Sequence, residues 1–264
     1  MSKIVFDIGG TSMRVASVVD DTLVNIKKVA TPQDPEEGSL LLQKIITEIA
    51  GGSEIESIVG GVPGIIGERG QLLKLPNLKK WEEYDLIGSL QKGGCPDVRI
   101  YNDSLLAGLG EARYGSGKGY SVVGYIGVGT GVGGAKIVDG KIGTERFAPG
   151  HQIINSELGT TLEDVASGQA LFKKFGATPA EIDKSVFDER TPDLAVGLYN
   201  VLLLWSPEVL VLGGSLINND RFETNRIIEE LEKLNTTLPK LPDVRKALFG
   251  DDAGLHGARA LLDN

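Results

Sequence analysis

The sequence predicts an α/β fold made of two α/β domains around a cleft. Strand-like and helical runs alternate along the 264 residues, and one order, a hairpin with a glycine-rich turn followed by helix and strand, occurs twice. No Pro/Ser-rich linker separates the halves. We expect a smaller N-terminal domain over 1–104, completed by a C-terminal helix at about 253–264, and a larger domain over 105–252.

The first half of the sequence predicts strands and helices in the order βββαβα. Strand-like runs are KIVFDI, MRVASVV and TLVNIKKV. The stretch PQDPEEGSLLLQKIITEIAGG predicts a helix, because proline and acids begin it, leucine and isoleucine recur at helical spacing, and two glycines end it. Strands at IESIVGGV and DVRIYND and a helix at SLLAGLGEARYG follow.

The second half begins the same way. A strand at YSVVGYIG leads into the loop GVGTGVGG, and AKIVDGKI predicts a strand that turns at Asp139-Gly140. One helical stretch is expected over about 160–203, then a strand at EVLVLGG and a helix at RFETNRIIEELEKLN. The end, KALFGDDAGLHGARALLDN, predicts a strand, a loop and a last helix.

Composition excludes several classes of protein. The net charge of −9 and pI near 4.9 argue against a surface for nucleic acid or anionic membrane. A single cysteine, Cys95, excludes an intramolecular disulfide and a zinc site built from cysteines. The N-terminus lacks the pattern of a signal peptide, and no apolar run reaches the ~18 residues of a membrane span. We therefore expect a cytoplasmic protein.

The first glycine turn, Asp7-Ile8-Gly9-Gly10-Thr11, has the residues of a phosphate site. Glycine lets the backbone approach a ligand closely, backbone N–H groups can hold phosphate oxygens, and Thr11 adds a hydroxyl. Asp7 would repel phosphate directly, which predicts an intervening Mg²⁺. A plain tight hairpin is the alternative.

The second loop, Gly127 to Gly134, repeats these features with Thr130. Residues 129–134 match GxGxxG, but the strand-like AKIVDGKI follows where a dinucleotide site needs a helix, so we reject that reading. Two glycine hairpins, one in each half, predict phosphates held between two domains.

Asn102-Asp103 stands where a strand ends and a helix begins, a common place for site residues in α/β folds. Asp103 could serve as a general base for a substrate hydroxyl that attacks a γ-phosphate, with Asn102 orienting a neighbouring hydroxyl. The structural alternative is that Asp103 only caps the helix.

Seven motifs occur in the order found in the ROK sugar kinases, a family of the actin-like ATPase (ribonuclease H-like) superfamily. They are DIGGTSMR, VPG…G…PNLKKW, NDSLLAGLGEARYG, GVGTGVGGAKIVDGKI, LEDVASGQAL, VLVLGGSL and GDDAGLHGARALL. The sequence resembles this family, and its glucokinase-like members, almost end to end.

The resemblance implies a role for each matching residue. Asp7 would hold Mg²⁺ through water, Asp103 would be the catalytic base, and Asn102 and Glu163 would contact sugar hydroxyls. Other matches border the sugar pocket or hold the nucleotide: Gly64, Asn77 and His151 for the sugar; Gly9, Gly10, Thr11, Gly129, Thr130 and Gly131 for phosphates; Gly213 and Gly214 for adenosine. Trp81 is expected to be a packing residue.

Three departures from the family stand out. Ala148 occupies the place of the glutamate in E-x-G-H, whose loss would remove a bond worth about 1.5–3 kcal/mol. Glu145 is six residues before His151, so we do not expect it to substitute. The segment QIINSELGTT lacks the zinc-binding cysteines, which predicts no zinc. The hairpin begins at residue 3, and we expect no preceding helix-turn-helix of the kind that ROK repressors carry.

We therefore expect an ATP-dependent sugar kinase that acts on a hexose. Glucose is the leading candidate substrate, and its 6-hydroxyl is the leading candidate for the phosphorylated group. N-acetylmannosamine, N-acetylglucosamine, fructose, mannose and allose stay open as substrates, and so does polyphosphate as donor. ATP, Mg²⁺ and a small-molecule sugar are the implied partners, and the resemblance implies a homodimer. The alternatives are a sugar- or nucleotide-sensing protein with little turnover and an ATPase of the same superfamily.

Overall fold

The computed structural model describes residues 1–143, 145 and 147–262. By its contacts the chain divides into two compact units: Met1–Gly110 with Asp252–Asn264, and Glu111–Asp251. Of the C-terminal helix expected at about 253–264, the last two positions lie outside the described residues.

Unit 1 is built on one sheet, covered by helices. Its strands are β1 Ser2–Ile8, β2 Ser12–Val19, β3 Thr22–Ala30, β4 Ile55–Val62, β5 Ile65–Ile66, β6 Leu72–Lys74 and β7 Asp97–Asn102. Its helices are α1 Pro35–Ala50, α2 Leu86–Lys92, the start of α3 Asp103–Tyr114, and α9 Ala253–Arg259. Within the described residues, five strands pair in the order β3-β2-β1-β4-β7, and β5 pairs with β6.

Unit 2 has a sheet of its own. Its strands are β8 Val122–Val128, β9 Val132–Val138, β10 Lys141–Ile142, β11 Ile153–Asn155, β12 Thr160–Thr161, β13 Val209–Gly213 and β14 Asp243–Lys246. Its helices are α4 Leu162–Ala166, α5 Gly168–Phe175, α6 Lys184–Trp205, α7 Ser215–Asn218 and α8 Thr224–Leu234. Among the residues of unit 2 that the structure describes, the main sheet has the strand order β10-β9-β8-β13-β14.

The two main sheets have the same topology, which confirms that the chain is built twice. In each, three strands form an antiparallel meander. A fourth strand pairs in parallel with the first of these three, and a fifth pairs in parallel with the fourth. The turn between β9 and β10 is the predicted one, since Asp139 and Gly140 have φ of 50° and 63°.

The helical stretch expected over about 160–203 consists of three helices, α4, α5 and α6. Ser167 ends α4 and caps α5 through its hydroxyl, which accepts a bond from Ala170 N–H at 3.1 Å. Gly176 then ends α5 with a left-handed φ of 67°.

Each unit has its own hydrophobic core. In unit 1, α1 and α2 pack on the sheet around Trp81, whose side chain is fully buried and donates from Nε1 to the Pro32 carbonyl at 3.1 Å. Trp81 is thus a packing residue, as predicted. In unit 2, α4, α6 and α8 cover the sheet. Among the described residues, no helix has both the length and the apolar character needed to cross a membrane.

Candidate active site

In unit 1, the predicted catalytic residues gather where three parallel strands end. Asp7 lies on β1 opposite Gly61 of β4, and Asn102 ends β7. A Cβ at Gly61 would lie 3.1 Å from Asp7 Oδ1 and 3.2 Å from Asp103 Cα. The missing side chain therefore lets the Asp7 carboxylate approach the start of α3, at the carboxyl edge where α/β sheets bind ligands.

Asp103 is held in an unusual electrostatic state. Burial raises the pKa of its carboxyl, and hydrogen bonds to Oδ1 from the Ser104 N–H at 2.7 Å and the Ser104 hydroxyl at 3.3 Å oppose that rise. A carboxyl with a raised pKa is a stronger base than an exposed aspartate. This arrangement suits a proton acceptor.

The residue that caps α3 is Asn102, not Asp103. Asn102 Oδ1 accepts from Leu105 N–H at 3.0 Å, and its Nδ2 donates to the Gly64 carbonyl at 2.9 Å. The alternative that Asp103 only caps the helix is therefore wrong, because Asn102 is the capping residue. An amide offers two donor hydrogens and two lone pairs, so Asn102 retains one of each for a ligand.

The first glycine turn is fixed through its carbonyl groups. Thr31 Oγ1 donates to Gly9 O at 2.8 Å, Gln33 Nε2 donates to Gly10 O at 3.1 Å, and Thr31 N–H donates to Thr11 O at 3.0 Å. In a planar trans peptide, C=O and the following N–H point opposite ways. These bonds therefore turn the N–H groups of residues 10–12 away from the segment 31–33.

Neither Gly9 nor Gly10 adopts a left-handed φ, so backbone conformation does not require glycine in this turn. Glycine instead allows neighbouring atoms to approach the turn closely. A Cβ at Gly10 would lie 2.9 Å from Asn77 Cβ. Asn77, predicted for the sugar, thus lies beside the turn predicted for phosphates.

In unit 2, the second glycine loop joins β8 to β9. Gly129 N–H donates to Gly131 O at 2.9 Å, which closes a tight turn with Thr130 exposed at its tip. Glu163, at the start of α4, accepts the Val132 N–H on Oε2 at 2.8 Å. The acid predicted for the sugar is therefore hydrogen-bonded to the loop predicted for phosphates.

Gly213 and Gly214 also border this loop. Gly213 ends β13 opposite Gly127, and Gly214 has a φ of 83°. A Cβ at Gly214 would overlap the backbone of Val128, and one at Gly129 would lie 3.5 Å from Ser215 Oγ. The start of α7 thus packs directly on the glycine loop, at the position predicted for adenosine.

The segment around His151 is held without cysteine. His151 is exposed and ends a 3₁₀ turn, Pro149–His151, and a Cβ at Gly150 would overlap the Val132 carbonyl. Gln152 Nε2 donates to Pro149 O at 2.8 Å, and its Oε1 accepts from Asn200 Nδ2 at 3.0 Å. The bond from Asn200, which no local pattern predicts, fastens the turn to α6.

Ala148, in the place of the family glutamate, is exposed beside this turn. The adjacent ring of Phe147 packs on Trp205, with ring centroids 4.7 Å apart. A Cβ at Gly143 would overlap the Glu145 carboxylate, so this carboxylate lies against the backbone of Gly143, just after β10.

The surroundings of Asp7 fit a Mg²⁺ ion that comes with a nucleotide. Glycines flank the carboxylate, since a Cβ at Gly254 would lie 2.9 Å from Asp7 Cγ and one at Gly61 would meet Oδ1. Mg²⁺ in phosphate-transfer sites commonly takes one or two carboxylates, water and substrate phosphates. The carboxylate of Asp7, near the end of β1 just before the first glycine turn, meets that need.

The absence of zinc remains a prediction, for which metal analysis of the purified protein is the measurement. We expect well under one zinc per chain, because QIINSELGTT offers no thiolate to join His151. In the part of the chain that the structure describes, no three His, Cys, Asp or Glu side chains are grouped to hold a metal. One zinc per chain would contradict this prediction.

Known proteins resemble this chain along almost all of its length. The model of the ROK family matches residues 3–264. An N-acetyl-D-glucosamine kinase from Pectobacterium atrosepticum is 32% identical, with 98% of this chain and 99% of that protein covered.

Two solved structures give the same result. An inorganic polyphosphate/ATP-glucomannokinase from Arthrobacter sp. strain KM is 30% identical, covers 98% of this chain and 97% of its own, and has a TM-score of 0.75. A ROK family glucokinase from Streptomyces griseus, solved with glucose and AMPPNP, is 25% identical, covers 99% of both chains and has a TM-score of 0.81. The predicted actin-like ATPase fold is confirmed, and the chain belongs to the ROK family.

Proposed function

We propose that this chain is an ATP-dependent sugar kinase that phosphorylates a hexose hydroxyl, with the 6-hydroxyl of glucose or a related hexose first. The observation that carries the proposal is the position of Asp103. Its carboxyl has a raised pKa, and its Cα lies beside Gly61, whose missing side chain lets the Asp7 carboxylate approach. Relatives that cover almost the whole chain include proteins named as a glucokinase, an N-acetyl-D-glucosamine kinase and an inorganic polyphosphate/ATP-glucomannokinase.

In the proposed reaction, Asp103 accepts the proton of the sugar hydroxyl as that oxygen attacks the γ-phosphate. Oδ1 is bonded to Ser104, so we assign the proton to Oδ2. Asn102 uses its remaining donor and acceptor to orient a neighbouring hydroxyl. Asp7 would hold Mg²⁺ through water, and the ion would neutralise charge on the phosphates. In each unit, backbone N–H groups of the glycine turn would donate hydrogen bonds to phosphate oxygens.

The test is coupled ADP release with Mg²⁺ and ATP, measured against about a dozen hexoses, amino sugars and their N-acetyl forms. Stimulation by one sugar supports the kinase and identifies what the site with Ala148 accepts. A parallel series with polyphosphate in place of ATP identifies the donor. Turnover that does not depend on any sugar would favour an ATPase.

Ala148 favours one alternative, a sugar-sensing protein with little turnover, because one carboxylate for sugar hydroxyls is missing. Against it, a sensor needs no general base, and Asp103 has a raised pKa. Binding of nucleotide and sugar without turnover in the same assay would support the sensor.

The pH profile of kcat should show the raised pKa of Asp103. Turnover falls as pH drops through that pKa, so its acid limb should lie at higher pH than an ordinary aspartate gives. Ser104→Ala removes a hydroxyl bond that lowers this pKa, so the limb should move to still higher pH while the plateau is retained. A limb that does not move would belong to another group.

A further inference from the structure

Residues 163–169 contact the second glycine loop at three points. Besides the bond from Val132 N–H to Glu163 Oε2, Gly168 N–H donates to Gly129 O at 2.8 Å and Gln169 N–H donates to Thr130 O at 3.0 Å. The loop is thus held at Val132 by a carboxylate and at Gly129 and Thr130 by the start of α5.

These bonds determine which way the loop N–H groups point. In planar trans peptides, carbonyls that face α5 turn the next N–H groups to the opposite side. The N–H groups of Thr130 and Gly131 therefore point away from α5. Glu163 fixes the following N–H, that of Val132, and so sets where the turn ends and β9 begins.

Gly131 permits this contact. It has no left-handed φ, and a Cβ there would lie only 2.9 Å from Glu163 Oε2. Glycine at 131 lets the carboxylate lie against the loop backbone, and a methyl group there would displace it. Glu163 and Gly131 therefore form one structural unit, although 31 residues separate Val132 from Glu163 in the chain.

We propose that Glu163 is a positioning residue for the second glycine loop: its carboxylate holds the Val132 backbone so that the loop N–H groups stay turned toward a nucleotide phosphate. This role is additional to the sugar contact that the family resemblance implies. The identity of the ligand rests on the proposed function, whereas the positioning of the loop does not.

The test compares three variants in the absence of sugar. Glu163→Ala should weaken binding of Mg²⁺-AMPPNP at least about tenfold and raise hydrogen exchange of the Val132 amide by a similar factor, because a bond to a charged acceptor is lost. Glu163→Gln keeps an acceptor oxygen and should stay within about threefold of wild type in both.

Asp164→Ala is the matched control. Asp164 is the next carboxylate on α4 and bonds Thr161 in a capping box, so its loss should lower the melting temperature. The bonds of Asp164 go to Thr161 and not to the glycine loop. Nucleotide affinity and hydrogen exchange of the Val132 amide should therefore be unchanged. A merely structural role of Glu163 would make the two alanine variants behave alike.

Two results would overturn the proposal. One is wild-type nucleotide affinity in Glu163→Ala with only the KM for sugar raised, which would confine Glu163 to the sugar. The other is unchanged Val132 exchange in that variant. If Glu163→Ala does not fold, Gly131→Ala displaces the intact carboxylate and should loosen the loop in the same way. If the wild-type protein binds no nucleotide, the proposed function fails, and Val132 exchange in the free protein still decides the positioning role.

Discussion

Asp103→Ala should lower kcat by at least about 100-fold, while Mg²⁺-AMPPNP still binds with nearly wild-type affinity. The loss follows because the sugar hydroxyl would keep its proton during attack on the γ-phosphate, whereas the glycine turns that we propose for phosphate binding would be unchanged. Steady-state turnover and calorimetric binding of the nucleotide measure the two effects. Near wild-type turnover would remove Asp103 from the mechanism.

Asp103→Asn separates chemistry from folding. Because burial raises the pKa of Asp103, the folded protein holds this proton more tightly than the unfolded chain does. The stabilisation is fully present below the unfolded pKa and is lost as pH rises through the folded pKa. Above the unfolded pKa this raised pKa therefore costs stability, and Asp103→Asn, which carries no charge, should melt no lower than wild type while losing turnover.

The control is Asp85→Asn, which changes another aspartate in unit 1 at the start of a helix. Asp85 Oδ1 accepts Gly88 N–H at 2.8 Å and caps α2, and asparagine caps equally well. Turnover and melting temperature should both be close to wild type. A large loss of turnover in this variant would show that aspartate-to-asparagine changes in unit 1 act on activity indirectly.

The sequence predicted both glycine turns and the repeated topology, because these features are local: a strand, two or more glycines, and a strand. It did not distinguish Asn102 from Asp103 as the helix cap, since either side chain suits that position. Only the bonds from Leu105 N–H to Asn102 and from Ser104 to Asp103 separate the two roles.

The residues that hold the turns were missed for another reason. Thr31 and Gln33 bond carbonyls 22 and 23 residues away, and Asn200 bonds a side chain 48 residues away. Such bonds between distant segments leave no periodic signal, and the residue types are ordinary in loops. Their roles depend on tertiary packing, which one sequence without aligned relatives does not reveal.

Gly64→Ala should be strongly destabilising and should weaken sugar binding. Gly64 has a φ of 100°, which costs an L-residue about 1–2 kcal/mol. A Cβ there would also overlap the Lys74 carbonyl and lie 3.0 Å from Leu75 Cα. Together these effects should lower the free energy of unfolding by about 3 kcal/mol or more. The Gly64 carbonyl anchors Asn102, so the KM for sugar should rise about tenfold.

Gly94→Ala is a closely matched control in the same unit. Gly94 has a φ of 101°, and a Cβ there would meet nothing within 4 Å. It should show the backbone cost alone, about 1–2 kcal/mol, with an unchanged KM for sugar. Urea unfolding with equal slopes gives the difference between the two variants, which measures the close approach at Gly64. Equal losses would mean that the turn relaxes around a methyl group, and that the Asn102 anchor does not depend on glycine at 64.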